Sequence, residues 1–390
     1  MINPYERRNI LRVLYLCITD FICNLFVRHR EDSPPKKIDR ILVVNPFHQG
    51  DVVLTTSIIR ILKSEFPEVA IGVMVGSWSA RMLSGHNGVE RIHVIDHYQI
   101  SRAPIGLFAK VIKYYRDRKR VLKELGKSCY DLAFIVNGHE PSFIPFCKRA
   151  GIRYLVGSTG AGFGPLLNYR ISKRRVGQHE SQFQRSLLEC IIQKEKLNAS
   201  ALVPWLPDPT EKSLARVGEQ VKMQGGRDYV ILQPGTGNPA KEWPISHWVN
   251  FASMLIDDGE RIVLCGTGER ENELCREIES SCPSVNLASK LTWDDYTALV
   301  HGAKGLVGLD SVAVHVASAY SVPALAIMSG VGDRTRWHPI GPLSSYVGID
   351  MPCSPCHSRP CASRDCISKV SPEHVYAAWK NLPKRCTLKC

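Results

Sequence analysis

Residues Val307-Gly308-Leu309-Asp310-Ser311-Val312-Ala313-Val314-His315-Val316-Ala317 join an apolar run, a polar turn and a helical continuation. A strand that feeds a helix N-terminus leaves free backbone N–H groups and a positive dipole end aimed at one spot. Phosphate groups bind well there. Asp310 or Ser311 can cap the helix. His315 lies one turn in, on the face of Ser311, where its ring can add a donor. Read alone, the stretch is equally a capped helix with a buried histidine.

Other stretches carry related chemistry. The apolar run Tyr229-Val-Ile-Leu232 leads into Gln233-Pro-Gly-Thr-Gly-Asn-Pro-Ala-Lys241-Glu-Trp243-Pro244. That loop is polar, holds Thr236 and has one cation, Lys241. It suits a diphosphate, but its spacing is not that of a Walker loop. Pro244 suits the first turn of the helix that follows. Glu269 comes just after the run 261–265 and the turn Gly266-Thr-Gly. A carboxylate there can hold ribose hydroxyls, or simply occupy a first helical turn. Asp51 follows the run Ile38–Asn45. Gly50 permits a tight turn, and Asp51 opens a helix at the edge where such sheets bind ligands, or serves only as its cap.

These residues need strands and helices to hold them. The run at 38–45 is continuous rather than alternating, as buried parallel strands are, and further strands are expected at 69–75, 91–95 and 131–136, then at 229–232, 261–265, 307–309 and 323–327. Helical stretches alternate with them, including 178–196 and 292–301. The pattern predicts an α/β protein with two doubly wound parallel-sheet domains. Composition shifts place the bounds at 1–37, 38–205, 206–370 and 371–390, with Pro204-Trp-Leu-Pro-Asp-Pro209 marking the passage between the domains. The Gly-rich, basic stretch 151–180, with Lys173, Arg174 and Arg175, reads as a loop whose charges can meet acceptor phosphates. Ser371 and Pro372 cap and open a terminal helix to about Leu382.

The chain has 390 residues, 44% hydrophobic and 22% charged, enough for two packed domains. Its net charge of +13 calls for a polyanionic partner: nucleic acid, an anionic membrane surface or an acidic glycolipid. No nucleic-acid-reading motif is present, so no nucleic-acid partner is expected. Residues 9–27 form an apolar segment broken by Arg12, Asp20 and Asn24, with Ile10, Leu14, Ile18, Phe21 and Leu25 on one helical face and Arg7, Arg8, Arg28, His29 and Arg30 flanking it. It is too short and too interrupted to cross a bilayer. It fits an amphipathic helix in an anionic membrane interface, or one packed on the protein's own surface. Most of the fourteen cysteines sit singly in apolar runs, as in a reducing cytosol. Cys353, Cys356, Cys361 and Cys366 cluster; four thiolates can hold a structural zinc, form disulfides or stay free.

Taken in order, the blocks with Gly50-Asp51-Val-Val-Leu-Thr-Thr, with Gln233-Pro-Gly-Thr and Lys241-Glu-Trp-Pro, with Gly266 and Glu269, and with Asp310-Ser311 and His315 resemble the ADP-heptose:lipopolysaccharide heptosyltransferases. The resemblance covers about residues 38–380. It implies a glycosyltransferase of family 9 with the GT-B fold, two Rossmann-like domains facing a central cleft. It implies inverting transfer of heptose from a nucleotide-sugar donor, ADP-heptose, to a phosphorylated glycolipid acceptor at the cytoplasmic face of a bacterial inner membrane, with no cofactor required. Asp51 matches the general base and Lys241 a phosphate contact. Glu269 matches the ribose-binding acid, and Ser311, Val312 and His315 the helix-start diphosphate group. The C-terminal helix is expected to cross back onto the first domain. The chain departs at Val312, where the family usually has glycine, at Ala313, often proline, and in the loop Ser329-Gly-Val-Gly-Asp. A backbone N–H survives at Val312, while its branched side chain crowds the approach. Two other readings stand beside this one: a GT-B enzyme for another sugar nucleotide, such as a transferase or an epimerase, and a non-catalytic membrane-docked binding protein.

Overall fold

The computed structural model describes residues 9–26, 35, 37–101, 103–136, 140–197, 202–222, 228–356, 361 and 363–384. The chain divides into two compact units, Met1–Leu202 and Val203–Cys390.

The first unit holds strands β1 (Arg40–Val44), β2 (Ala70–Val75), β3 (Arg91–Val94), β4 (Leu132–Ile135), β5 (Tyr154–Ser158) and β6 (Tyr169–Ile171). Its helices are α1 (Ile10–Phe26), α2 (Gln49–Glu65), α3 (Ser77–Ala80), α4 (Leu107–Ser128), α5 (Phe143–Arg149) and α6 (Glu180–Leu188). The strands are all parallel, in the order β3-β2-β1-β4-β5-β6. The second unit holds β7 (Tyr229–Gln233), β8 (Arg261–Leu264), β9 (Val285–Asn286), β10 (Gly305–Leu309), β11 (Ala324–Ile327) and β12 (Ser344–Val347). Its helices are α7 (Glu211–Val221), α8 (Ile245–Asp257), α9 (Glu269–Ser281), α10 (Trp293–Gly302), α11 (Val312–Ala319), α12 (Arg334–Trp337), α13 (Asp365–Ser368) and α14 (Pro372–Lys380). This sheet is again all parallel, ordered β12-β11-β10-β7-β8-β9. Both sheets thus have one doubly wound topology, with switch points between β1 and β4 and between β7 and β10.

The continuous apolar runs became strands because helices cover both sheet faces. β1, β4, β7 and β10 are almost wholly buried. Trp243, Trp248 and Phe251 stack edge to face over the second sheet, with Trp243 and Trp248 centroids 5.1 Å apart.

Several local expectations are corrected. The stretch 151–180 is no simple loop; it supplies β5 and the edge strand β6. Its glycines hide the strand, and Gly157 is there because a Cβ would lie 3.0 Å from Leu167. Arg174 is not free for a phosphate: it pairs with Glu180 at 2.8 Å, both side chains buried, and lies over the Phe183 ring. The turn expected at Gly50 is the first turn of α2, which opens at Gln49. Pro244 is the residue before α8 rather than in its first turn. The terminal helix is part of the second unit's own packing. α14 packs on α8, β11 and β12, and Trp379 fills the space beside Gly305. Ser371 does cap it, accepting from the His374 N–H. Among the described residues no helix is long and apolar enough to cross a membrane.

Past β3, Asp96 anchors the start of α3. It accepts from the Ser77 N–H at 2.7 Å and from its hydroxyl at 3.0 Å, and Lys113 of α4 donates at 2.7 Å. Burial pushes the Asp96 carboxyl up, but the Lys113 ammonium and the Ser77 donors outweigh it and hold the carboxyl below its ordinary range. A lowered folded value means the stabilisation is full above the unfolded value and lost as pH falls through the folded one. Asp96→Asn is expected to cost about 2 kcal/mol at neutral pH. Thermal unfolding should show the gap to the parent protein closing as pH drops below about 4.

Candidate active site

The functional side chains of the second unit lie where parallel strands end. β7 runs into the loop 234–238, where Asn238 accepts from the Ala240 N–H and starts a 3-10 turn over Pro239–Lys241. β10 runs into Asp310 and Ser311, and then α11. β7 and β10 are neighbours, so their loops meet at the switch point. Lys241 Nζ donates to Asp310 Oδ2 at 2.5 Å, and the Thr236 hydroxyl donates to the Asp310 carbonyl at 3.4 Å. Both charged groups of that pair are mostly buried.

The turn that carries Lys241 is fixed by the two residues after it. Glu242 is buried and takes Arg270 of α9 bidentately, with Nε at 2.7 Å, while Arg364 donates to the Glu242 carbonyl. The Trp243 indole N–H donates to the Val370 carbonyl at 2.7 Å. Sequence reasoning found this Lys-Glu-Trp block but gave a role to the lysine alone.

Ser311 is the residue before α11, but its side chain makes no cap bond, and its buried hydroxyl has no hydrogen-bond partner. The half-buried Val312 is the first residue of α11, so its N–H is one of those no helical carbonyl can reach. His315, one turn on, is buried at 3% exposure. Thr236, Lys241, Asp310, Ser311, Val312 and His315 are therefore gathered at one sheet edge.

Glu269 is not gathered with them. It opens α9, is 79% exposed and pairs with Arg276 at 2.9 Å. The structure brings in Glu271 instead. Its carboxylate accepts from the Thr267 N–H at 2.8 Å. A Cβ on Gly235 would lie 2.3 Å from Glu271 Cγ, and one on Gly266 would lie 2.8 Å from its Cβ. Both glycines, at the ends of β7 and β8, leave room for this one side chain. The signal in the sequence was the pair of glycines, not the acid nearest the strand.

In the first unit Asp51 is in the first turn of α2. It accepts from the His48 N–H at 3.1 Å, and negative charge at a helix start is favourable. Its carbonyl takes Asn45 Nδ2 at 3.2 Å and the Thr55 hydroxyl at 2.8 Å. The preceding loop is pinned by Trp78, whose indole donates to the Phe47 carbonyl at 2.6 Å and whose carbonyl accepts from Gln49.

None of the four clustered cysteines is joined in a disulfide. Cys353 and Cys361 are exposed, while Cys366 is buried with its Cβ beside Gly330. Cys356 exchanges backbone hydrogen bonds with Gly330 and Gly332, both 2.9 Å. The segment thereby braces the 329–332 loop. Among the described residues no three His, Cys, Asp or Glu side chains gather as a metal-holding group.

Two doubly wound parallel-sheet domains, the second with phosphate-suited groups at its switch point, have the architecture of the GT-B glycosyltransferases. The sequence pattern of glycosyltransferase family 9 (heptosyltransferase) matches residues 118–367, and the chain belongs to that family. It is 27% identical over 299 residues to lipooligosaccharide heptosyltransferase 2 of Haemophilus influenzae, covering 74% of this chain and 82% of that one. Among solved structures, the ADP-heptose lipopolysaccharide heptosyltransferase II of Escherichia coli matches with a TM-score of 0.68 at 21% identity, covering 87% and 97%. E. coli heptosyltransferase WaaC with ADP matches with 0.66 at 18% identity, covering 87% and 99%.

Gly235→Ala should push Glu271 out of its seat. The expected result is a loss of nucleotide affinity of about tenfold, read by titration calorimetry with ADP, with the melting temperature little changed.

Proposed function

We propose that this glycosyltransferase moves a heptose from ADP-heptose to the core sugar of a lipopolysaccharide acceptor, with inversion at the anomeric carbon. What carries the reading is the meeting of Lys241, Asp310 and the α11 start at the β7–β10 switch point. The named relatives supply the sugar and the acceptor class.

In this mechanism the donor diphosphate lies over the start of α11. The N–H groups of Ser311 and Val312, the Ser311 hydroxyl, His315 and Lys241 supply donors where charge grows as ADP leaves. Asp310 holds Lys241 in reach and faces the sugar side of the diphosphate. Glu271 takes the ribose hydroxyls, the role first expected of Glu269. An acceptor hydroxyl attacks the anomeric carbon, the bond to the diphosphate oxygen breaks, and Asp51 takes the hydroxyl proton. The Val312 side chain narrows the approach while its N–H still serves. The acceptor is a phosphorylated glycolipid at the cytoplasmic face of a bacterial inner membrane.

Calorimetry with ADP, UDP and GDP tests the donor. ADP should bind selectively, and Lys241→Ala should weaken it by about 10- to 100-fold, the worth of a charge-assisted contact. Preference for UDP or GDP would replace the sugar nucleotide. Binding of none would sink the transferase reading and favour the non-catalytic one. Asp51→Asn should lower kcat by about 100-fold or more while leaving ADP affinity intact; unchanged turnover would remove Asp51 as the base.

A further inference from the structure

The largest unexplained feature is apolar surface in the first unit. Of sixteen large hydrophobic side chains exposed among the described residues, eight are on α1 and five lie between Ile105 and Tyr115. α1 is docked by the wrong face for a simple surface helix. Leu16 is buried against Gly162, and Val13, Thr19, Asp20 and Cys23 share that inner side. Ile10, Leu14, Ile18, Phe21 and Leu25 look outward, at 52% exposure or more. Leu16 is the one wholly buried residue of the helix, and eight of its large apolar side chains are left on the outside.

α4 continues the surface. Phe108, Ile112, Tyr115, Lys119 and Lys123 follow one another along a single exposed stripe, apolar first and basic after. The helix carries eight basic residues against two acidic ones. α4, α5 and the 161–167 segment cover the same face of the first sheet, sharing one core cluster, and α1 docks on that segment beside Gly162. The two apolar stripes therefore belong to one side of the unit. The charge follows them: the first unit has 31 Lys and Arg against 17 Asp and Glu, the second 19 against 20.

We propose that α1 and the exposed stripe of α4 form a docking surface for an anionic lipid bilayer, with the aliphatic and aromatic side chains in the acyl boundary and the α4 lysines and arginines on the head groups. Apolar residues beside clustered cations are what such an interface takes up. A second copy of the chain would suit apolar residues but would set the α4 cations against each other. The proposal deepens the reading of a glycolipid acceptor by naming the surface that brings the enzyme to it.

The full chain is floated with phosphatidylcholine vesicles, with and without phosphatidylglycerol, in the absence of glycolipid and donor. Recovery with anionic vesicles is expected, falling as salt rises. Ile18→Glu with Phe21→Glu should reduce partitioning by about tenfold or more. Lys119→Glu with Lys123→Glu should abolish the preference for anionic lipid. ADP titration and circular dichroism on the same variants separate this outcome from misfolding and from failure of the donor site. No recovery with either vesicle, recovery unchanged in both variants, or an α1-dependent dimer in light scattering without vesicle binding would overturn the proposal.

Discussion

The second unit depends on the parallel alignment of β7 and β10. Every strand of a parallel sheet ends at the same edge, so loops far apart in sequence arrive together. At this pair the onward crossovers part: α8 and α9 cover one face with α14, and α10 and α11 cover the other with α7. Right-handed connections leaving in opposite directions open a crevice above the strands. Lys241 and Asp310, 69 residues apart, close across it in one ion pair. The first sheet repeats the order, and Asp51 stands just beyond β1 at the corresponding place.

Charge is balanced tightly around that crevice. Lys241 has Asp310, and Arg270 has Glu242. A half-buried cation left alone would be costly, and a carboxylate partner offsets the desolvation. In the proposed mechanism the pairing makes binding an exchange: an incoming diphosphate would share Lys241 with Asp310, with the N–H groups of α11 tipping the balance. Glu271 is held on the same principle of restricted space, since Gly235 and Gly266 admit it and one backbone donor aims it.

Much of this was readable before any coordinates. Eight strands were, most clearly β1, β4, β7 and β10, where burial on both faces leaves few polar residues; β3, with Arg91 and His93, shows least of this. β5 and β6 were not, because Gly157 and the basic residues beside it imitate a loop. β9, with two residues, and β12, half exposed, carry too little pattern to find. The block around Lys241 and the turn at Asp310 were visible through their polar residues between strand and helix. That Glu271 rather than Glu269 packs beside Gly235 and Gly266 was not, since it is decided by helical phase within α9 and by the space those glycines leave. Arg174 shows the reverse error: a charge in a basic run, buried by Glu180 and Phe183.

The two units share a topology yet divide the charge unequally, and the division has a physical logic. A unit that recognises a nucleotide needs few cations, each aimed and matched, because an unbalanced positive field would hold any polyanion. The second unit is near neutrality, and Lys241 and Arg270 are each held by a carboxylate. A unit that meets an extended anionic surface needs the opposite: many exposed cations acting together within about one Debye length, near 8–10 Å at ordinary salt. The +13 of the whole chain lies on the first unit, whose first helix turns an apolar stripe outward, and that is the distribution the proposed membrane docking calls for.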